Sequence, residues 1–490
     1  MIIAKVNLCD MKKENAQESL NKRALKAGVW YIVSAVLIRG LNFITTPIFS
    51  RLLTKQEYGL YSNYSTWLHL LTTVVTLDLF TSVSRAKIDY TDDMDSYVYS
   101  MQVLGTLCTG IVYIVFVTFS RQIQAMMELD MKYIHIMFLY LLVAPALTLL
   151  QTKERQFLRY KRSVLLTMIS SLLSVGMSLL LVFVMEDRFQ ARVLGSSVTL
   201  FVFCLIIYIH NGLRGKKIKK SYWKYGAYIS VPLIPHILAG NILSQIDRVV
   251  IIKFCGSADN AIYSLGYQSA SIVMILGNMI NQAWTPWEFQ KLHEKRYAEI
   301  RKVSKIYIIF SGVFTVLIML FAPEIVGVFG GSKYRESIQL VPIIMAGIYC
   351  WLLYTLFINI ENYNKKTFGI SVKTIIAAGV NLAANYLLIP RYGYIMAAYT
   401  TLASYILLMI LHAISAAKLE AGKVYEFKYI FTAFVVVLAI SIPIQFVYEN
   451  RLAHMSSLIA AVSVMAVFAI YYRDKIKTVV LKYINRKSGK

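Results

Sequence analysis

The chain has 490 residues, of which 57% are hydrophobic and 16% charged, with 51 Lys and Arg against 26 Asp and Glu. So apolar a composition at this length excludes an ordinary soluble domain and a disordered chain. The net charge of +25 is spread over short connecting segments, as membrane topology requires, so no nucleic-acid partner is expected.

A polar cytoplasmic segment, 1–26, comes first and lacks the apolar core of a cleaved signal peptide. Apolar runs of about twenty residues follow, the length that crosses roughly 30 Å of hydrocarbon at 1.5 Å per residue. The predicted spans of the first half are 27–50, 58–80, 97–119, 132–152, 163–185 and 192–210. A basic linker, 211–226, leads to 227–252, 260–284, 303–322, 338–358, 368–389, 393–416, 428–447 and 453–472, and a basic tail, 473–490, ends the chain. The expected fold class is an all-α polytopic membrane protein of about 14 transmembrane helices. Pro47, Pro145, Pro232 and Pro235 fall inside spans and mark candidate kinks.

Basic residues test this order, because they favour cytoplasmic loops. With the N-terminus inside, about 38 of the 51 Lys and Arg lie in cytoplasmic segments and about 11 outside, leaving Arg39 and Arg248 within helices. Both ends of the chain are therefore expected in the cytoplasm. Cys9, Cys108, Cys204, Cys255 and Cys350 are scattered without ligand spacing, so neither a disulfide framework nor a metal site is expected. There is no phosphate-binding loop and no paired-carboxylate motif, and no loop is long enough for a catalytic domain. A transporter is expected, not an enzyme, with no cofactor.

The sequence also repeats itself. Lys26-Ala-Gly28 opens the first span and Lys224-Tyr-Gly226 the seventh. Each helix ends in an arginine and apolar residues, Arg51-Leu-Leu and Arg248-Val-Val, then a glycine and a tyrosine, Gly59 and Tyr61 against Gly256 and Tyr263. Six spans separate the copies, so they share one orientation. The expectation is two parallel six-helix lobes, 27–210 and 227–416, with two further helices in 417–472.

Three blocks carry a resemblance. Arg51-Leu-Leu-Thr-Lys-Gln-Glu-Tyr-Gly-Leu-Tyr61 resembles the first external loop of the bacterial polysaccharide (oligosaccharide) flippases, the Wzx-type branch of the MOP superfamily that also holds the MATE-type multidrug extruders and the lipid II flippases. Pro232-Leu-Ile-Pro235, Asp247-Arg248-Val-Val-Ile, Gly256 and Ala261-Ile-Tyr263 resemble that family's seventh helix and exit loop. The third block runs from Asn364-Lys-Lys-Thr367 through Asn381, Asn385, Pro390, Gly393 and Ala397-Ala398 to Ser404-Tyr405. The resemblance implies two MATE-like lobes around a central cavity that opens alternately to each side of the bacterial cytoplasmic membrane. The implied cargo is an undecaprenyl-pyrophosphate-linked oligosaccharide, moved to the outer leaflet for capsule, O-antigen or exopolysaccharide synthesis. Membrane lipids and other assembly proteins such as a polymerase are implied partners.

A pyrophosphate headgroup cannot cross hydrocarbon unaided, so the cavity is expected to be polar and cationic. Arg39 lies about 18 Å along the first helix from either end, beyond the reach of snorkelling. It is expected either to bind the pyrophosphate or to form a structural ion pair with Asp78. Asp78 is a coupling-ion candidate, or else a helix-end carboxylate pairing with Arg85. Arg85 and Lys87 are candidate receivers of the pyrophosphate at the inner mouth, although topology alone also accounts for them. Lys373 either faces the cavity or snorkels to the inner surface. Asn381 and Asn385 are expected to line the sugar path or to bond between helices. His236 is a second coupling candidate or a packing residue, and Arg51, Asp247 and Arg248 are expected to be structural at helix ends. Two other readings stay open: a MATE-like drug or cation antiporter, and a membrane scaffold without transport.

Overall fold

The computed structural model describes residues 40–463 except Asn42 and Glu420, and of Ala421 the backbone alone. Among the described residues there are helices and turns and no strand. The helices are α1 (43–52), α2 (Lys55–Val75), α3 (Val83–Asp89), α4 (Met94–Thr118), α5 (Ser120–Met127), α6 (Met131–Gln156), α7 (Tyr160–Val184), α8 (Arg188–Val193), α9 (Thr199–Gly215), α10 (Lys220–Ser230) and α11 (Ile234–Cys255). They continue with α12 (Ser257–His293), α13 (Tyr297–Leu320), α14 (Ala322–Gly330), α15 (Val341–Tyr363), α16 (Thr367–Tyr392), α17 (Met396–Ala417), α18 (Ala421–Val424), α19 (Phe427–Ser441), α20 (Ile444–Glu449) and α21 (451–463).

Ten helices among the described residues are long and apolar enough to cross a membrane, and a bent pair, Lys55–Val75 with Leu79–Asp89, raises this to eleven. The predicted span 260–284 falls within α12, which has the length but carries Asn278, Asn281 and Gln282. Most of the first predicted span, 27–50, and the second half of the last, 453–472, lie outside the described residues. Side chains on α7 such as Phe183 and Val184 are apolar and exposed, the pattern of a surface that meets lipid. This is a multi-pass membrane protein.

The chain forms two compact units. The first holds the residues up to Leu265 with Phe329–Gly331 and Lys365–Leu408, and the second holds Gly266–Val328, Ser332–Asn364 and the residues from Met409. These units group the residues differently from the proposed lobes 27–210 and 227–416.

In the first unit, α2 is started by its own sequence. Thr54 Oγ1 accepts from the Glu57 N–H at 3.1 Å, and the Thr54 N–H donates to Glu57 Oε2 at 2.7 Å. This capping box satisfies helix-end donors and is worth on the order of 1 kcal/mol. It gives the Arg51–Tyr61 block a physical purpose. The second predicted span is not one straight helix, because Leu77 and Asp78 both have φ of 50° and the chain bends by 49° there. Near Pro232, α10 and α11 are joined by a turn of 3-10 helix, Val231–Leu233, where a kink was expected, whereas Pro145 sits inside the unbroken α6.

The two glycines of the sequence repeat do different work. Gly256 ends α11 with φ of 93°, a conformation that disfavours any side chain. Gly59 lies inside α2, where an added Cβ would collide with the Ser257 carbonyl. That close approach lets Asn260 Nδ2 donate to the Gly59 carbonyl at 2.9 Å and brings the Ser62 and Ser264 hydroxyls within 2.6 Å. Gly59→Ala is expected to cost about 1–3 kcal/mol by overpacking, read as a fall of about 1–3 °C in the unfolding midpoint of the detergent-solubilised protein. An unchanged midpoint would mean that α2 and α12 separate there at no cost.

Candidate functional site

The seventh predicted span, realised as α10 and α11, packs in the first unit against α2 and α16. Asn241, Ser244 and Arg248 recur at helical spacing, so α11 presents one polar stripe within an apolar segment. The stripe meets a matching one on α2. His69 Nε2 donates to Asn241 Oδ1 at 3.3 Å, and Asn241 Nδ2 donates to Thr73 Oγ1 at 2.9 Å. Farther along α11, Arg248 donates to the Ser244 carbonyl at 3.2 Å, and its guanidinium lies 6.0 Å from the centre of the Tyr263 ring.

A second guanidinium joins this face from α8. Arg192 lies 3.4 Å from the centre of the Phe49 ring and 4.6 Å from that of Tyr61, a cation–π sandwich. Its Nε is buried and makes no hydrogen bond, and among the described residues it forms no ion pair. The charges of Arg192 and Arg248 both act on Tyr58. The result is a face with two arginines, tyrosines, an amide and an imidazole. It suits an anionic group followed by hydroxyls, since guanidinium takes phosphate oxygens, and amides and aromatic rings take sugars.

Behind this face lies a sealed cluster. The Asp247 side chain is fully buried and accepts from Tyr263 OH at 2.6 Å, Thr401 Oγ1 at 2.8 Å and Asn385 Nδ2 at 2.6 Å. Asn385 Nδ2 also reaches Asn381 Oδ1 at 3.1 Å, Thr400 donates to Asn385 Oδ1, and Asn381 Nδ2 lies 3.4 Å from Thr401 Oγ1. Four helices, α11, α12, α16 and α17, are joined through one carboxylate. The structure thus gathers three residues that the sequence offered separately. Asn381 and Asn385 are fully buried and spend their amides on this cluster, so in this conformation they line no cavity.

Arg39 lies outside the described residues. Asp78 is buried at the bend and accepts from Thr81 Oγ1, and Arg85 does not pair with it. Arg85 instead binds Asp89 at 3.1 Å, four residues on along the same helix. The reason is geometric: the left-handed backbone at Leu77 and Asp78 sends α3 off in a new direction, while i,i+4 neighbours face each other. Lys87 donates to the Gln156 carbonyl, with its ammonium 5.4 Å from the Phe157 ring centre. Lys373 is buried in α16 at 9% exposure. His236 is half-buried in the first turn of α11, and Arg51 is exposed at the end of α1.

The second unit holds carboxylates that the sequence reading did not single out. Glu288 accepts from Asn359 Nδ2 at 2.9 Å and from Tyr425 OH. Glu361 and His412 are fully buried with 2.8 Å between their polar atoms, and the Tyr354 ring stacks on His412 at 5.6 Å. Between spans the charges behave simply. Lys219 is held above the usual lysine range chiefly by its hydrogen bond to Asp93, and Glu294 below the usual carboxylate range chiefly by that from Lys291. Of the site residues, Arg192, His69 and Thr401 escaped the sequence reading. Arg192 sits at the very edge of a predicted span, where a cation counts as topology.

A protein-family profile described as "Polysaccharide biosynthesis protein" matches residues 24–292. The "Lsg locus putative protein 1" of Haemophilus influenzae is 24% identical over 350 residues, which cover 68% of this chain and 85% of that one. Among solved structures, "Lipid II flippase MurJ" in an inward closed conformation aligns with a TM-score of 0.63 at 13% identity, over 91% of this chain and 100% of that one. An inward-facing "multidrug resistance MATE family transporter of the MOP superfamily" aligns with a TM-score of 0.59 at 13% identity, over 80% and 99%. The fold is therefore of the MurJ and MATE kind.

Proposed function

We propose that this chain, which belongs to the polysaccharide biosynthesis protein family, is a flippase for an undecaprenyl-pyrophosphate-linked oligosaccharide. It would carry that cargo from the inner to the outer leaflet of a bacterial cytoplasmic membrane, with both termini in the cytoplasm. The observation that carries this reading is the face of α2, α8 and α11, where Arg192 has no carboxylate partner among the described residues. A guanidinium with a buried, unbonded N–H and no carboxylate beside it is costly to desolvate, so such a site favours an anion. In this reading Arg192, Arg248 and Arg39 take the pyrophosphate in turn, Tyr58, Tyr61 and Asn241 meet the sugars, and Lys373 contributes interior positive charge.

A drug or cation antiporter would need a carboxylate open to its cargo. Asp247 already has three donors, Glu288 is engaged by Asn359 and Tyr425, and Glu361 faces His412. That arrangement favours anionic cargo over cationic. With the cell interior negative, exporting two negative charges through 100 mV gains about 4–5 kcal/mol, so the potential alone can bias transport outward. Asp78 and His236 stay as proposed coupling positions.

Depleting the protein is expected to leave lipid-linked oligosaccharide on the inner leaflet and to remove surface glycan, both restored by the wild-type chain. Arg39→Ala is expected to fail in this complementation at equal membrane abundance, and Arg39→Lys to restore it in part. Unchanged surface glycan and lipid-linked pools after depletion would reject the flippase reading.

A further inference from the structure

In the first unit a cleft of about 640 Å³ opens where one end of α4 and α7 meets the other end of α6 and α9. By the positive-inside pattern this is the cytoplasmic end of these helices. It lies among helices of the first predicted lobe, away from the α2–α11 face, and the transport reading makes no use of it. Its floor is charged and its flank is aliphatic.

The charges do not cancel. Lys153 is spent on Asp95. Arg159 and Arg162 share the single carboxylate of Glu154, at 3.6 and 4.0 Å, and Arg214 has no ion pair among the described residues. Asp92, exposed at the mouth, offsets one of these charges, so four Lys and Arg face three carboxylates. Glu154 itself is 4% exposed, and its Oε2 accepts no hydrogen bond. A buried acceptor of this kind calls for a donor. On the flank, Leu165 and Ile206 line the cleft and are exposed at 57% and 63% on helices whose neighbours meet lipid.

We propose that this cleft is a binding site for an anionic glycerophospholipid of the inner leaflet with a hydroxylated headgroup, phosphatidylglycerol in chemical type. The phosphate lies against Arg162 and Arg214, a headgroup hydroxyl donates to Glu154 Oε2, and an acyl chain follows Leu165 and Ile206. Each part meets a matching requirement: an excess of cations, an unfilled acceptor and an aliphatic exit. Basic pockets between transmembrane helices on the cytoplasmic side recognise anionic headgroups in this way.

The test uses the full-length protein, delipidated in detergent and titrated while its thermal stability and lipid-bound mass are read. The probes are phosphatidylglycerol, phosphatidylcholine with the same chains, and glycerol phosphate. Phosphatidylglycerol is expected to bind at least tenfold more tightly than phosphatidylcholine, and glycerol phosphate not to compete at the same concentration. Arg162→Ala with Arg214→Ala is expected to abolish the preference, and Arg121→Ala to keep it. Equal binding of the two lipids by the wild-type chain would overturn the proposal without any variant. Competition by glycerol phosphate would overturn the lipid assignment in favour of a soluble anion, and a double variant that keeps the full preference would overturn the site.

Discussion

Asp247→Ala is expected to lower the stability of the solubilised protein by roughly 3–5 kcal/mol, because three buried donors share this one acceptor. Tyr263, Thr401 and Asn385 would each lose an acceptor in a place that water does not reach. Each stranded donor costs about 1–3 kcal/mol, and the shared burial keeps the total below their sum. The unfolding midpoint should fall by about 3–5 °C, followed by size-exclusion chromatography after heating. Asp247→Asn keeps the shape but sets an NH2 against at least one of those donors, so a smaller fall is expected. A wild-type midpoint in the alanine variant would show that α11, α16 and α17 hold together without this carboxylate.

Arg192→Ala carries the second large effect, on transport and not on folding. The variant is expected to lose about 10- to 100-fold in flipping at equal membrane abundance, as fits one charge-assisted hydrogen bond to phosphate at about 1.5–3 kcal/mol. Arg192→Lys keeps the charge but gives up the planar fork and most of the stacking on Phe49, so partial recovery is expected. The readout is the rate at which lipid-linked oligosaccharide becomes accessible on the outer side of right-side-out vesicles. Full transport in the alanine variant would remove Arg192 from the cargo path. The thermal midpoint serves as the control, because a packing role would lower it along with the rate.

Both effects rest on residues that differ in how legible they were. Asp247, Asn381 and Asn385 stood out as polar positions in apolar runs, but the donor and acceptor of the central bond are 138 residues apart. Their bonding was therefore open until α11 and α16 were seen side by side. Arg85 was offered Asp78 by nearness in sequence, and the bend at Leu77 and Asp78 withdrew it. No glycine or proline marks that bend, so no local signal announced it. Arg192 was hidden for another reason, since a cation at the rim of a span looks the same whether it faces water or a ring.

What the sequence by itself determined is the membrane class, the run of helices, and local devices such as the Thr54–Glu57 cap and the Gly256 turn. These depend on hydrophobicity and backbone preference over a few turns, and both are written in neighbouring residues. Only the tertiary structure decided which polar groups are spent on each other, as in the Asp247 cluster, and which, like the Arg192 guanidinium, lie against aromatic rings with no ion pair among the described residues. That choice depends on the packing of helices far apart in the chain, where a shift of one turn exchanges a bonded amide for an open one.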